Sequence, residues 1–433
     1  MEILRIRGGH RLVGELEVPG SKNTALALMS AVVLGDGPSL LHKLPDLADT
    51  RVKARLLESF GAKVEWREGS CLIDCSNLCC GDAEPDMVRS IRTSFFLFGP
   101  LLARLGEVRL LSPGGCKIGA RPIDLHLKGL AQLGADIDLV GGYYVGKVTK
   151  LRGADIYFDF PSAGATQHLM ATATLAEGTT VLHHAASEPE VVALAGFLNR
   201  MGARIEGAGT STITITGVSS LSGAPYTVPA DRVQAGTYLI AGAMTGGDVT
   251  VRGILPQDQV ALISKLRDAG VSIEQGHDWV RAVGVKRPSA IRLKTMPHPG
   301  FPTDLQQPMC AMLTIAEGTS IVEETIYENR IGHVQELSRM GARIRVEGRS
   351  MVVNGVRQLR GALVDASDLR AGAALCLAGL VAEGETKVRN IHFIDRGYER
   401  LEDRLRGLGA DIERVAVDSL RDDGSSVEDP GLM

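Results

Sequence analysis

One short pattern occurs six times in this chain: the end of a helix, a glycine, then a strand. Its copies are residues 56–65 (LLESFGAKVE), 130–138 (LAQLGADID), 197–206 (FLNRMGARIE), 265–274 (KLRDAGVSIE), 336–345 (ELSRMGARIR) and 404–413 (RLRGLGADIE). The glycines Gly61, Gly134, Gly202, Gly270, Gly341 and Gly409 lie 73, 68, 68, 71 and 68 residues apart. A glycine after the last helical turn supplies a left-handed cap, and the alternation that follows starts a strand. A second pattern keeps the same rhythm, an apolar helix running into a glycine turn and a β-branched strand, as in ALALMSAVVLGDG and MCAMLTIAEGTS. Two patterns recurring in register make this a repeat of about 70 residues, not a chance likeness of small apolar helices.

The second helix is apolar nearly all round, which requires burial on every side. Three such helices wrapped by strands make a domain with internal threefold pseudosymmetry, and 433 residues are too many for one ordinary core. The class is therefore α/β, two pseudo-threefold domains built from six repeats. Proline-marked segments at Val18-Pro19-Gly20-Ser21 and Pro225-Tyr226-Thr227-Val228-Pro229 are the best linkers. They predict one domain over residues 22–229 and another over residues 1–21 plus 230–417, with a hinge and a cleft between them. Residues 418–433, rich in Asp, Ser and Gly, are expected to be a disordered tail.

The net charge of −4 and 4% aromatic content offer nucleic acid neither general attraction nor stacking platforms. No membrane span and no secretory leader are visible, so a cytoplasmic protein is expected. Seven cysteines in so long a chain point to reduced thiols. Cys71, Ile73 and Cys75 alternate as one face of a strand, which favours core packing over a metal site, and no metal is expected.

Cys116 is different, because it lies in Pro113-Gly114-Gly115-Cys116-Lys117-Ile118-Gly119, a stretch that cannot be regular structure. Lys117 and Arg121 favour its thiolate. Its two readings are a loop thiol that happens to lie between cations and a reactive group. Each buried helix begins with a polar cluster: Lys22-Asn23-Thr24, Arg92-Thr93-Ser94, Ser162-Ala163-Gly164, Asp231-Arg232, Thr303-Asp304 and Asp368-Leu369-Arg370. Ordinary capping explains the Ser, Thr, Asn and Asp residues. It does not explain the cations, which are unfavourable beside a helix N-terminus unless an anion sits between. Arg330 and Arg396, in polar connections of the fifth and sixth units, are further anion-binding candidates. Glu188 and Glu190, in the matching connection of the third unit, read as a solvated turn.

The motifs Pro19-Gly20-Ser21-Lys22-Asn23, the residues 113–122 around Cys116, Phe301-Pro302-Thr303-Asp304, Ser367-Asp368-Leu369-Arg370 and Asp395-Arg396-Gly397-Tyr398-Glu399-Arg400 occur in order. Together they resemble the UDP-N-acetylglucosamine 1-carboxyvinyltransferases, a family of enolpyruvyl transferases, from about residue 3 to about residue 415. The resemblance implies the enolpyruvyl transferase fold, an inside-out α/β barrel with three βαβαββ units per domain. It implies transfer of the enolpyruvyl group of phosphoenolpyruvate to the 3-hydroxyl of UDP-N-acetylglucosamine with release of phosphate, the first committed step of peptidoglycan synthesis. No cofactor is needed, though a covalent phosphoenolpyruvate adduct can form on Cys116.

By the same resemblance Lys22, Asn23, Arg121, Arg330, Arg370 and Arg396 bind phosphoenolpyruvate. Cys116 is the acid, Asp304 the base, and Asp368 orients Lys22 through a salt bridge. For UDP-N-acetylglucosamine it implies Asn23, Arg92, Arg121, Pro122, Ile123, Asp124, Leu125, Ser162, Ala163, Gly164, Asp304 and the backbone of Ile326. Some members carry lysine where this chain has Phe160, which cannot donate to a diphosphate, so backbone donors near Gly164 are expected to take over. The rivals are the sister transfer to shikimate 3-phosphate and a non-catalytic nucleotide-sugar-binding regulator. The cysteine loop argues against the first, and joint retention of Cys116, Asp304, Lys22 and Arg396 against the second.

Overall fold

All six repeat glycines adopt the left-handed backbone, with φ between +87° and +107°, in a computed structural model that describes residues 2–79, 83–113 and 123–416. A side chain at any of them would be strained, so glycine is what lets each outer helix turn back into its strand. The inner helices of the six units are Lys22–Ala31, Phe98–Leu105, Ala163–Ala173, Arg232–Met244, Gln306–Leu313 and Leu369–Val381. Every residue from Val233 to Met244 is buried, as is every residue from Arg370 to Leu380. These helices form the centre and the sheets surround them, the reverse of a barrel with strands inside.

The fifth unit shows the common sheet: Arg292–Lys294 parallel to Thr319–Glu323, then Ser350–Asn354 and Arg343–Glu347 antiparallel in turn. In the sixth unit the first strand of the chain, Glu2–Arg7, fills the third place, between Glu385–Arg389 and Asp411–Ala416. Val13–Glu17 likewise completes the fourth unit beside Asp248–Arg252. Pro225–Thr227, from the end of the third unit, completes the first beside Pro38–His42. The second unit has three strands among the described residues.

Two hydrophobic clusters result. One runs from Ala25 to Val228, and the other joins Leu4, Ile6, Leu12 and Val18 to residues from Val233 to Ile412. The chain passes between them twice, and the crossings are tied together: Ser21 N donates to Pro229 O at 2.7 Å and Asp231 N to Pro19 O at 2.9 Å. Cys71, in the strand Ser70–Asp74, and Cys75, just past its end, are fully buried, as the alternation predicts. Among the described residues no helix is long and apolar enough to cross a membrane. Residues 418–433 lie outside the described residues.

Candidate active site

Lys22 opens the first inner helix, and its ammonium lies 3.1 Å from Asp49 Oδ2. The other oxygen of Asp49 accepts from Arg396 Nε at 2.8 Å, while Arg396 Nη2 reaches Ser90 O at 3.1 Å. Arg396 belongs to the second core and Asp49 to the first, so this carboxylate fastens a cation from each. Burial works against its charge, but Lys22 and Arg396 more than offset it and hold its pKa below the usual carboxylate range. Asp368 does not orient Lys22. It caps the helix it precedes, one oxygen accepting from Arg370 N at 2.9 Å and Ala371 N at 3.0 Å, the other from Gln307 at 3.2 Å. A carboxylate already satisfying two helix N–H groups is committed to that end of the helix. Asp49 takes the role instead, and the repeat could have revealed it. It occupies, in the first unit, the connection that carries Glu188, Arg330 and Arg396 in others.

Asp304 stands in the 3-10 turn Thr303–Leu305 that leads into the fifth inner helix. Arg330 approaches one of its oxygens at 2.9 Å and Arg370 the other at 3.0 Å. Both arginines are 2% exposed. Burial opposes the charge of each, and Asp304 leads the interactions that raise both pKa values. Arg330 Nε and Arg370 Nε and Nη1 are buried without a hydrogen-bond partner among the described residues. Buried guanidinium donors are seldom left so, and these suit an anion that brings more oxygens than one carboxylate has.

In the first core, Ser162 caps the third inner helix by accepting from Ala165 N at 3.3 Å, with Ala163 and Gly164 as its first residues. A side chain at Gly164 would approach Phe96 and His126. His126 lies in the helix Asp124–Gln132, just after Ile123 and beside Leu125, and Arg92 acts on its charge. The structure thus brings Gly164 and the charge of Arg92 to one buried histidine, in the helix that opens with Asp124 and Leu125. Asn23 is exposed at the start of the first inner helix, and Phe160 is 43% exposed. The backbone of Ile326 is tied to Glu324, 2.8 Å from N to Oε1.

Hydrogen-bond accounting assigns the tautomers here. Gly99 N donates to His168 Nε2 at 2.8 Å, so His168 carries its proton on Nδ1 and gives it to His126 Nδ1 at 2.9 Å. His126 must then be protonated at Nε2. Gly99 is required by this contact, since a Cβ there would lie 2.1 Å from Thr172 Oγ1 and 2.7 Å from His168 Nε2. Burial lowers the pKa of His126 to about 3, with Arg92 adding to it, and puts that of His168 well below the ordinary value; burial lowers that of His333 to about 4. The unfolded chain binds protons at these residues below pH 6.5 while the folded protein does not. The contribution of these histidines is therefore complete above about pH 6.5 and is lost progressively from there down to the folded values, by up to about 1.4 kcal/mol per pH unit for each histidine. The melting temperature at constant ionic strength should decline steadily from pH 6.5 to 4.5, and a flat profile there would contradict the neutral assignment.

Glu188 and Glu190 do not form a solvated turn. Glu190 is 6% exposed and makes a two-pronged pair with Arg232 of the other core, at 2.9 and 3.2 Å. Burial raises the pKa of Glu188, whose Oε2 has no partner among the described residues. The anion that a cation at a helix start calls for is, for Lys22, Arg232 and Arg370 alike, a carboxylate of the protein itself. Cys116, Arg121 and Pro122 lie outside the described residues.

Comparison with known proteins gives the arrangement a lineage. A family model described as EPSP synthase (3-phosphoshikimate 1-carboxyvinyltransferase) matches residues 6–405. The chain is 50% identical over 417 residues to a UDP-N-acetylglucosamine 1-carboxyvinyltransferase of Trichlorobacter lovleyi, covering 96% of this chain and all of that one. It is 50% identical over 410 residues to one of Halothermothrix orenii, covering 95% and 99%. Among solved structures, the enolpyruvyl transferase NikO from Streptomyces tendae superposes with a TM-score of 0.87 at 27% identity, covering 96% of this chain and 99% of that one. EPSP synthase from Acinetobacter baumannii shares the fold, with a TM-score of 0.75 at 18% identity over 96% of this chain and all of that one.

Proposed function

The chain belongs to the enolpyruvyl transferases, in the family of the UDP-N-acetylglucosamine 1-carboxyvinyltransferases, and on that premise we propose how its residues carry out the transfer. The substrates are phosphoenolpyruvate and UDP-N-acetylglucosamine, and the products are phosphate and the 3-O-enolpyruvyl sugar nucleotide, the first committed step of peptidoglycan synthesis. Identity of one residue in two along the whole length of such enzymes is the observation that carries this reading.

Phosphoenolpyruvate brings a phosphate and a carboxylate to a cleft whose cations are already matched with side-chain carboxylates. Its anionic oxygens displace Asp49 from Lys22 and Arg396, and Asp304 from Arg330 and Arg370. That exchange frees both oxygens of Asp304, which takes the proton of the sugar 3-hydroxyl as its oxygen bonds to C2 of phosphoenolpyruvate. Cys116 delivers a proton to C3. Return of a C3 proton to the Cys116 thiolate, as the bond from C2 to the phosphate oxygen breaks, then releases phosphate and restores the double bond. Asn23, Arg92, Arg121, Pro122, Ile123, Asp124, Leu125, Ser162, Ala163, Gly164 and Ile326 hold the sugar nucleotide. The reaction takes place in the cytoplasm, no cofactor takes part, and the cleft closes over the substrates to exclude water.

The test is phosphate release from phosphoenolpyruvate with and without UDP-N-acetylglucosamine. Release that depends on the sugar nucleotide is expected. Release driven by shikimate 3-phosphate instead, or none with either acceptor, would overturn the reading.

A further inference from the structure

Glu324 is 1% exposed and follows the strand Thr319–Glu323, yet no cation touches it among the described residues. Its charge is met by four hydrogen bonds. Oε1 accepts from Thr295 Oγ1 at 2.9 Å, Ile326 N at 2.8 Å and Tyr327 N at 3.1 Å, and Oε2 accepts from Thr303 Oγ1 at 2.8 Å. So costly a buried carboxylate calls for a reason.

The reason lies in the direction of one hydroxyl. A carboxylate oxygen can only accept, so Thr303 must donate its single proton to Glu324 and present lone pairs on its other side. There Arg330 Nη1 donates to Thr303 Oγ1 at 2.8 Å and to Asp304 Oδ1 at 2.9 Å. Turned the other way, the hydroxyl would point its proton at a buried guanidinium. Neighbouring bonds hold the same segment from the far side, with Thr325 N donating to Thr295 Oγ1 at 2.9 Å.

We propose that Glu324 is a positioning residue for enolpyruvyl transfer: it polarises Thr303 so that Thr303 keeps Arg330 aimed when Asp304 is released from it, and it fixes the backbone of Ile326 with its other oxygen. One carboxylate thereby sets the base and its arginine on one side and the sugar-nucleotide contact on the other. This rests on the reaction proposed above and adds a residue to it.

Glu324→Gln keeps the size and replaces one acceptor by a donor, which either reverses the Thr303 hydroxyl or opposes the Ile326 and Tyr327 N–H groups. With wild-type enzyme first shown to release phosphate in response to UDP-N-acetylglucosamine, the variant should lose roughly 10- to 100-fold in kcat, the scale of a misplaced reacting group. Its KM for UDP-N-acetylglucosamine should rise as well. Thr303→Val should reproduce the kcat loss with KM for the sugar nucleotide nearly unchanged, and the double variant should be little worse in kcat than Glu324→Gln alone. Glu324→Asp, still a carboxylate, should recover part of the kcat. Unchanged kcat per folded enzyme in Glu324→Gln, with only a lowered melting temperature, would overturn the proposal, as would kcat losses that multiply in the double variant. An inactive wild type would instead overturn the assigned reaction.

Discussion

Replacing Asp304 by alanine is expected to lower kcat by roughly two to four orders of magnitude, the range for losing a positioned proton acceptor. Taken alone, Asp304 looks like a residue whose loss the fold would tolerate. Its pairing with two arginines that are 2% exposed changes that expectation. Alanine leaves two buried guanidinium groups facing each other without the carboxylate between them. Breaking a buried pair costs about 3–5 kcal/mol, and the lower end applies because the Asp304 side chain is 25% exposed. Asp304→Asn separates the two effects. Its amide oxygen can still serve one arginine, so stability should fall less while the proton acceptor is lost all the same. Turnover at saturating substrates and denaturant unfolding of both variants make the comparison. If Asp304→Asn keeps kcat within tenfold of wild type, Asp304 is not the base.

Local chemistry made the fold legible. The six caps were readable because a left-handed turn after a helix selects glycine from within a few residues, and all six glycines have the positive φ this requires. The inner helices were readable because an apolar surface on every side has one resting place, between other apolar surfaces. The alternation of Cys71, Ile73 and Cys75 told which thiols were core. Pairing between distant side chains left no such mark. Asp49 and Arg396 are 347 residues apart, and Glu190 meets Arg232 across the two cores. Periodicity says nothing of which acid faces which base over that distance. The helix starts therefore read as a set of cations that need anions, without saying which anions these are. Lys22 pairs with Asp49 and not with Asp368, which serves as a cap, and Glu190 pairs with Arg232 instead of lying in solvent. The buried pair His126 and His168 and the carboxylate of Glu324 carried no local signal, because a histidine or glutamate in a helix or after a strand is as ordinary outside a core as within one.

The same contrast sharpens the expectation for the thiols. Burial pushes Cys71, Cys75 and Cys310 up to about 12 and Cys376 further in the same direction. None of these four can supply thiolate at neutral pH, and none offers a reagent an approach. Cys79 is exposed, which makes it the informative competitor, while Cys80 and Cys116 lie outside the described residues. Exposure alone does little for reactivity, whereas Lys117 and Arg121 flank Cys116 in sequence and favour its thiolate. The epoxide fosfomycin, which carries charge much as phosphoenolpyruvate does, is therefore expected to alkylate Cys116 and spare Cys79, faster when UDP-N-acetylglucosamine is bound. Cys116→Ala should lower turnover by roughly two to four orders of magnitude, since no acid remains to protonate C3. Cys116→Asp keeps an ionisable acid without the soft nucleophile, so measurable turnover combined with resistance to fosfomycin is expected. Peptide mass mapping of the treated enzyme decides the matter: modification of Cys79 at the same rate as Cys116, or of Cys79 alone, would show that the reagent reads exposure and not a catalytic thiolate.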